Sequence, residues 1–446
     1  MPEQSFGADV LRPDPERFGQ TKGRQLDLPD VDERFSRLEK GRDYEIVGVN
    51  NRIHADRKPE DFFLFIRPSG GDVTLTVEPP HWRSITDTTV HAVDTIRVNR
   101  GDDFYDEQVP FYAANIKGVG FLKPTAEGIG LEDYDTWKRI HELDETRTGY
   151  QMVGLSSKRE FDQRGILDTS QYLIEQGIRS EVYWAIGKLK QVYFKGELVS
   201  IDQLREKGVI APNRDYYPYL GVRLVKINNR IQETAESDAT QSRKLFERAF
   251  EVFNRESEER KLVFPKLEVG NAEHERLFME EFGRRMGKNT ARLLNIGYSH
   301  GHLHSANVSL AAEIMDIGTL GHWRTNKFIM KEKSVKHHGV RAEHIKDMRD
   351  VAYGLKILRK GAKNAGLARL DREKLAVATY RGFTENFDAD YASRVQKIDP
   401  ENAKKWFEKI LVAVLVDGKR LAPIFQESAE DATDVGQIEH WPIQWK

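Results

Sequence analysis

The residues with the greatest chemical potential lie close together, in Gly297-Tyr298-Ser299-His300-Gly301-His302-Leu303-His304-Ser305-Ala306-Asn307-Val308, continuing to Met315-Asp316-Ile317-Gly318. Three of the 13 histidines fall within five residues there. Alternate residues of an extended segment point the same way, so His300, His302 and His304 can converge on one ion, and zinc is one reading. A second reading uses oxygen: Asn307 and, nine residues later and ahead of a Gly, Asp316. One amide and one carboxylate suit Mg²⁺, which takes few ligands from protein and the rest from phosphate and water.

The composition narrows the classes. Lys+Arg number 69 against Asp+Glu 71 in 446 residues, a balance that argues against a generally basic nucleic-acid binder. Cysteine is absent, which removes thiol nucleophiles, CxxC zinc sites and disulfide scaffolds. Neither a basic leader with an apolar run nor eighteen consecutive apolar residues occurs, so a soluble cytoplasmic protein with no membrane partner is expected.

The elements that must position the loop fall into three stretches. Residues 1 to 42, rich in Asp, Pro, Arg and Gly, read as an arm. From Asp43 the pattern becomes short alternating runs separated by Gly, Pro and Asn: Asp43–Val49, Phe62–Ile66, Val73–Val77 and Thr95–Val98. A helix is expected near Thr169 to Gln176, ended by Gly177, then strands at Glu181 to Ile186, Gln191 to Phe194 and Leu220 to Ile227. The Gly-rich pieces Ser69-Gly70-Gly71 and Arg100-Gly101-Asp102 read as hairpin turns.

Beyond Thr234 the apolar period becomes helical. Leu245, Phe246, Ala249, Phe250 and Phe253 share one face, and Leu277, Phe278, Phe282, Met286, Leu293 and Leu294 form a second stripe. Further helices are expected over Glu343 to Leu358 and Ala403 to Leu415. Lys327 to Lys363 holds eleven Lys or Arg and four Asp or Glu, a net +7 by subtraction, which reads as a solvated helix face.

Four segments, in order, resemble the protein kinase-like superfamily and within it the selenoprotein O family of protein adenylyltransferases. Ile116-Lys117-Gly118-Val119-Gly120 is similar to that family's K-G-x-G segment, which implies that Lys117 binds phosphate. Ser156-Ser157-Lys158-Arg159-Glu160-Phe161 resembles the S-S-x-R-E-F run, whose Glu pairs with that lysine. Glu160 is the candidate, with Asp162 or Asp168 as alternatives because about six extra residues precede Gly177-Ile178. Arg223 and Arg230 keep the seven-residue spacing of two family arginines that lie in the nucleotide site. The loop from His300 to Asn307 and Asp316-Ile317-Gly318 are similar to the family's H-G-x-x-N-T-D-N and D-Y-G segments, so Asn307 and Asp316 are implied metal ligands.

The resemblance implies an α+β, bilobal protein kinase-like fold. A strand-rich lobe would span residues 43 to 232 and a helical lobe residues 233 to 446, with ATP and Mg²⁺ or Mn²⁺ bound between them. It implies AMP transfer to a hydroxyl on a protein or small molecule, with Asp316 and Lys117 in catalytic roles. Two departures stand out. The family's aspartate just before the metal-binding Asn is Ala306, and the aspartate of ordinary kinases falls at His302. A neutral His302 can accept a proton near pH 7. A phosphotransferase, a non-catalytic nucleotide binder and a His-cluster metallohydrolase remain the alternatives, and no C-terminal redox Cys or selenocysteine is present.

Overall fold

Alternation of β-branched and aromatic residues with polar ones builds the first half into antiparallel sheet, and helical periodicity takes over after residue 230. The computed structural model describes residues 35–37, 40–54, 58–62, 64–66, 84–100, 103–117, 165–194, 197–206, 219–322, 336–337, 339–419 and 421. It divides into two compact units, Met1–Asn229 with Arg255–Val263, and Arg230–Asn254 with Phe264–Lys446.

The first unit is a six-stranded antiparallel sheet. Its strands are β2 (Tyr44–Val49), β3 (Ile53–His54), β5 (Ser84–Arg100), β6 (Asp103–Lys117), β7 (Val182–Leu189) and β10 (Tyr219–Val225), in the order β2-β7-β10-β6-β5-β3. Arg100 lies opposite Asp103, so β5 and β6 pair as neighbours in sequence, while Gly101 and Asp102 of the expected turn lie outside the described residues. Outside this sheet, β1 (Phe35–Arg37) pairs with β4 (Leu64–Ile66), which puts three residues of the expected arm into a strand. The hairpin of β8 (Gln191–Phe194) and β9 (Glu197–Ser200) stands apart. The expected strand Val73–Val77 and the Ser69-Gly70-Gly71 turn lie outside the described residues.

Helix α1 (Ile166–Glu175) occupies the expected helical stretch, and Gly177 takes φ 67° just beyond it, a conformation that glycine adopts without steric cost. A second helix, α2 (Ile201–Glu206), was not anticipated. Among the described residues of this unit, buried charges are paired. Glu256 accepts two hydrogen bonds from Arg179, at 2.6 and 2.8 Å, and a third from Arg260 at 3.1 Å. Lys226, also buried, lies 3.6 Å from the same carboxylate and donates to the Pro110 carbonyl at 2.6 Å.

The second unit is helical: α3 (Ile231–Glu236), α4 (Ala239–Glu259, whose last five residues belong with the first unit), α5 (Ala272–Ile296), α6 (Ala342–Asn364), α7 (Arg372–Thr384), α8 (Ala389–Tyr391) and α9 (Pro400–Leu411). The sequence pattern located α4, α5, α6 and α9. It missed α7, whose core face is built partly from Ala376, Ala378 and Gly382 rather than from large apolar residues. The two stripes meet at Phe278, whose ring packs against Phe246, Phe250, Phe253 and Phe282 at centroid distances of 4.7 to 6.0 Å.

Helix α5 delivers the chain to the His-rich loop. Asn271 caps its start by accepting from the Glu273 and His274 amides, and Gly297 ends it at φ 74°. Midway along, α5 packs backbone to backbone against α7. A Cβ at Gly287 would run into the Thr379 carbonyl, and one at Gly382 into that of Arg284. Gly287→Ala therefore forces the helices apart and is expected to cost about 1–3 kcal/mol, read as a lowered denaturation midpoint with an unchanged urea m-value.

Candidate functional site

The loop after α5 rests on α6. Strand β11 (Tyr298–Ser299) pairs with β12 (Gly321–His322) and so closes the segment at its base. Within it Asp347 of α6, fully buried, takes three hydrogen bonds: from the Ser299 hydroxyl at 2.8 Å, the His300 amide at 2.7 Å and the Gly301 amide at 2.9 Å. Gly301 sits at φ 72°, with open space where a Cβ would be, so the backbone and not crowding calls for glycine. Two turns further along the same helix, Gly354 lies against the Ser305 backbone. Asp347, Asp350 and Gly354, at i, i+3 and i+7, thus form the helix face beneath the loop.

His300 is a strut. Its ring is buried, its Nε2 donates to the Met315 carbonyl at 2.7 Å, and its Nδ1 accepts from the His302 amide at 3.3 Å. Burial pushes its pKa down to about 4, in keeping with a neutral ring. Both nitrogens are engaged within the protein, so the three histidines do not converge on an ion. Among the described residues no group of three or more His, Cys, Asp or Glu side chains is placed to hold a metal. The zinc reading is corrected on those grounds.

The backbone of Asn307 is brought against Met315, the residue before Asp316. The chain between them doubles back as a tight hairpin, with Val308 bridging Ile314, the Ser309 amide bonded to Glu313, and the Met315 amide donating to the Asn307 carbonyl at 2.8 Å. Ser309 and Glu313 lock the turn from inside through a buried hydroxyl-carboxylate bond of 2.9 Å. The next residue, Asp316, stands at φ 55°, ψ 45°, a left-handed conformation that Asp tolerates better than most residues. The Asn307 side-chain amide donates to the His302 carbonyl at 2.8 Å, so its Nδ2 is spent inside the loop and Oδ1 is the ligand-type atom that remains. An amide oxygen and a carboxylate fit a hard divalent cation such as Mg²⁺ or Mn²⁺.

The two other histidines reach solvent on either side of Leu303. Partial burial and then the Lys346 charge hold His302 below its usual pKa. Burial does the same to His304, opposed by Asp350. His304 Nδ1 accepts from the Ala306 amide at 3.3 Å, which puts the proton of its neutral ring on Nε2. His302 is the ring that retains an acceptor nitrogen.

Arg230 precedes α3 and donates from NH1 to the Ala306 carbonyl at 2.5 Å, while the following Ile231 amide bonds to Val308. It belongs to the same unit as the loop. Arg223, in β10 of the other unit, donates to Glu181 at 2.8 Å with both side chains buried. Its burial in an apolar run has this internal explanation and does not by itself mark a ligand. The Lys117 backbone ends β6 opposite Gly221. Glu160 and Asp162 lie outside the described residues. Asp168 falls in the first turn of α1.

Sequence reasoning passed over Asp347, Asp350 and Lys346. The signal was present: Asp347 and Asp350 interrupt an apolar stripe of Ile345, Met348, Val351 and Leu355, where a carboxylate needs a partner. The solvated face expected for this segment is confined, within α6, to residues such as Lys360 and Lys363.

Comparison with known proteins adds little. No family model matches the chain, and no curated protein matches it. Among solved structures, a Toxoplasma gondii specific rhoptry antigen kinase domain is 9% identical, with TM-score 0.26 over 74% of this chain and 77% of that one. At that TM-score the likeness carries no argument.

Burial raises the Asp347 pKa to about 7 although its three donors favour the carboxylate. The neutral form is thus the one the fold prefers, and its contribution to stability is full below pH about 4 and lost as pH rises through about 7. Urea denaturation from pH 4 to 8 is expected to show this loss in the wild type and a flatter profile in Asp347→Asn. Parallel profiles would refute it.

Proposed function

We propose that this protein is an ATP-dependent transferase of the kinase-like type that moves AMP onto a hydroxyl of a protein or small molecule. The observation that supports the reading is the hairpin that bonds the Asn307 carbonyl to the Met315 amide, one residue before Asp316, next to a loop whose His302 is held below its usual pKa. Those two residues would hold Mg²⁺ or Mn²⁺, which when bound neutralises phosphate charge.

His302 is the proposed base. It takes the proton of the acceptor hydroxyl as that oxygen bonds to the α-phosphorus, the bond to the bridging oxygen breaks, and pyrophosphate departs. His304, with its proton on Nε2, is suited to donate to a phosphate oxygen rather than to accept a proton. Lys117, Arg223 and Arg230 are the cations that the sequence resemblance assigns to the phosphates, with Glu160 paired to Lys117.

Ala306 in place of the family's aspartate favours a second reading, a nucleotide binder without turnover. One experiment separates them. Purified protein is incubated with Mn²⁺ or Mg²⁺ and ATP labelled at the α or the γ phosphorus, with candidate acceptors present. Label from the α position, abolished by Asp316→Ala and reduced about 10²–10⁴-fold by His302→Ala, is the expected result. Label from the γ position makes the protein a kinase. ATP binding without label supports the second reading, and neither label nor ATP binding overturns both.

A further inference from the structure

Helix α5 carries an amide inside its apolar stripe. Phe282, Met286, Asn289 and Leu293 follow one another at helical spacing, and Asn289 is fully buried among them. Buried amides are retained where they are hydrogen-bonded. The Asn289 Nδ2 donates at 3.0 Å to the carbonyl of Ala312, 23 positions further along and in the turn of the hairpin between Asn307 and Asp316.

That turn is strained. Ala312 stands at φ 60°, one of four residues other than glycine at positive φ among those described, and a second of the four is Asp316 of the same hairpin. An Asp side chain can offset this conformation with a local hydrogen bond, whereas Ala has no side-chain group to do so. Within the turn the Ala311 and Glu313 amides each donate to the Ser309 hydroxyl at 3.2 Å, and the Ala312 amide donates to the Ser309 carbonyl at 3.0 Å. Those bonds use the amides of the turn, and the Ala312 carbonyl is taken by Asn289. Relaxing Ala312 to a negative φ would swing that carbonyl and break a hydrogen bond inside the core, so Asn289 opposes the relaxation.

The hairpin is anchored at two other places. His300 holds the Met315 carbonyl at one foot, and Arg230 and Ile231 pair with Ser309 and Val308 along one strand. A hairpin fixed only at its foot and along one strand can still twist about that strand, and a bond at its turn removes the motion. We propose that Asn289 is a positioning residue for the divalent cation, a role that rests on the reading of Asn307 and Asp316 as its ligands. By holding the Ala312 carbonyl it keeps the two feet of the hairpin in register, and it touches neither cation nor nucleotide.

Mn²⁺ titration of the full chain with ATP present, followed by electron paramagnetic resonance well below the denaturation midpoint, tests this in Asn289→Leu, a variant of similar size without the donor. At least tenfold weaker Mn²⁺ binding is expected, with near-ultraviolet circular dichroism like that of the wild type. Hydrogen exchange at the Ser309, Glu313 and Met315 amides should be at least tenfold faster. Adding Ala312→Gly, which adopts positive φ without strain, should restore at least a third of the lost affinity on a logarithmic scale. Phe282→Leu, a change in the same helix against Phe278, should lower the midpoint and leave Mn²⁺ affinity unchanged. Asn289→Ser, which leaves a shorter hydroxyl at the position, is held to the same result should Asn289→Leu not fold. Undiminished Mn²⁺ affinity or unchanged exchange in the folded Asn289 variant, or an equal loss of affinity in Phe282→Leu, overturns this proposal alone. Absence of Mn²⁺ binding by the wild type overturns the cation reading and this proposal with it.

Discussion

A buried carboxylate beneath a loop sets the geometry of the candidate site. Asp347 gathers one hydroxyl and two successive backbone amides onto its two oxygens, and this fixes the path of Ser299 to Gly301 against α6. Everything downstream inherits that path. The His300 ring is turned inward to bind Met315, the hairpin from Asn307 to Met315 closes above it, and His302 and His304 are left facing outward. Without the carboxylate those amides would be orphaned donors, each costing about 1–3 kcal/mol, and the loop would lose its reference point.

The outward histidines then differ through local bonds alone. His300 spends both ring nitrogens on the backbone, and His304 spends its Nδ1 on the Ala306 amide. The strut role of His300 also explains why a three-histidine metal centre does not form: a ring holding two parts of the chain together has no nitrogen to give. Asn307 is similarly divided, with its amide nitrogen spent inside the loop and its oxygen left as the ligand-type atom.

Much of this organisation was legible in the sequence. Helices α4 and α5 were readable because their Phe, Leu and Met positions recur at helical spacing, and those same residues form the core around Phe278. The interval from Asn307 to Asp316 singled out those two residues, but not the hairpin between them. Less legible were features that depend on partners distant in the chain. Asp347 pairs with residues nearly fifty positions earlier, and Arg223 finds Glu181 forty-two positions away, so neither could be assigned from local pattern. Helix α7 escaped notice because close approach of two backbones selects small residues, which carry no hydrophobic signal.

The central claim is that Asn307 and Asp316 together hold a divalent cation for ATP. Electron paramagnetic resonance of Mn²⁺ titrated into the protein with and without ATP addresses it directly, since bound and free ion are distinguished without any need for turnover. The account predicts one Mn²⁺ bound in the presence of ATP, at least tenfold weaker in both Asn307→Ala and Asp316→Ala while near-ultraviolet circular dichroism stays that of the wild type. Mn²⁺ binding of undiminished affinity in those two folded variants, or no binding by the wild type with ATP present, would contradict it.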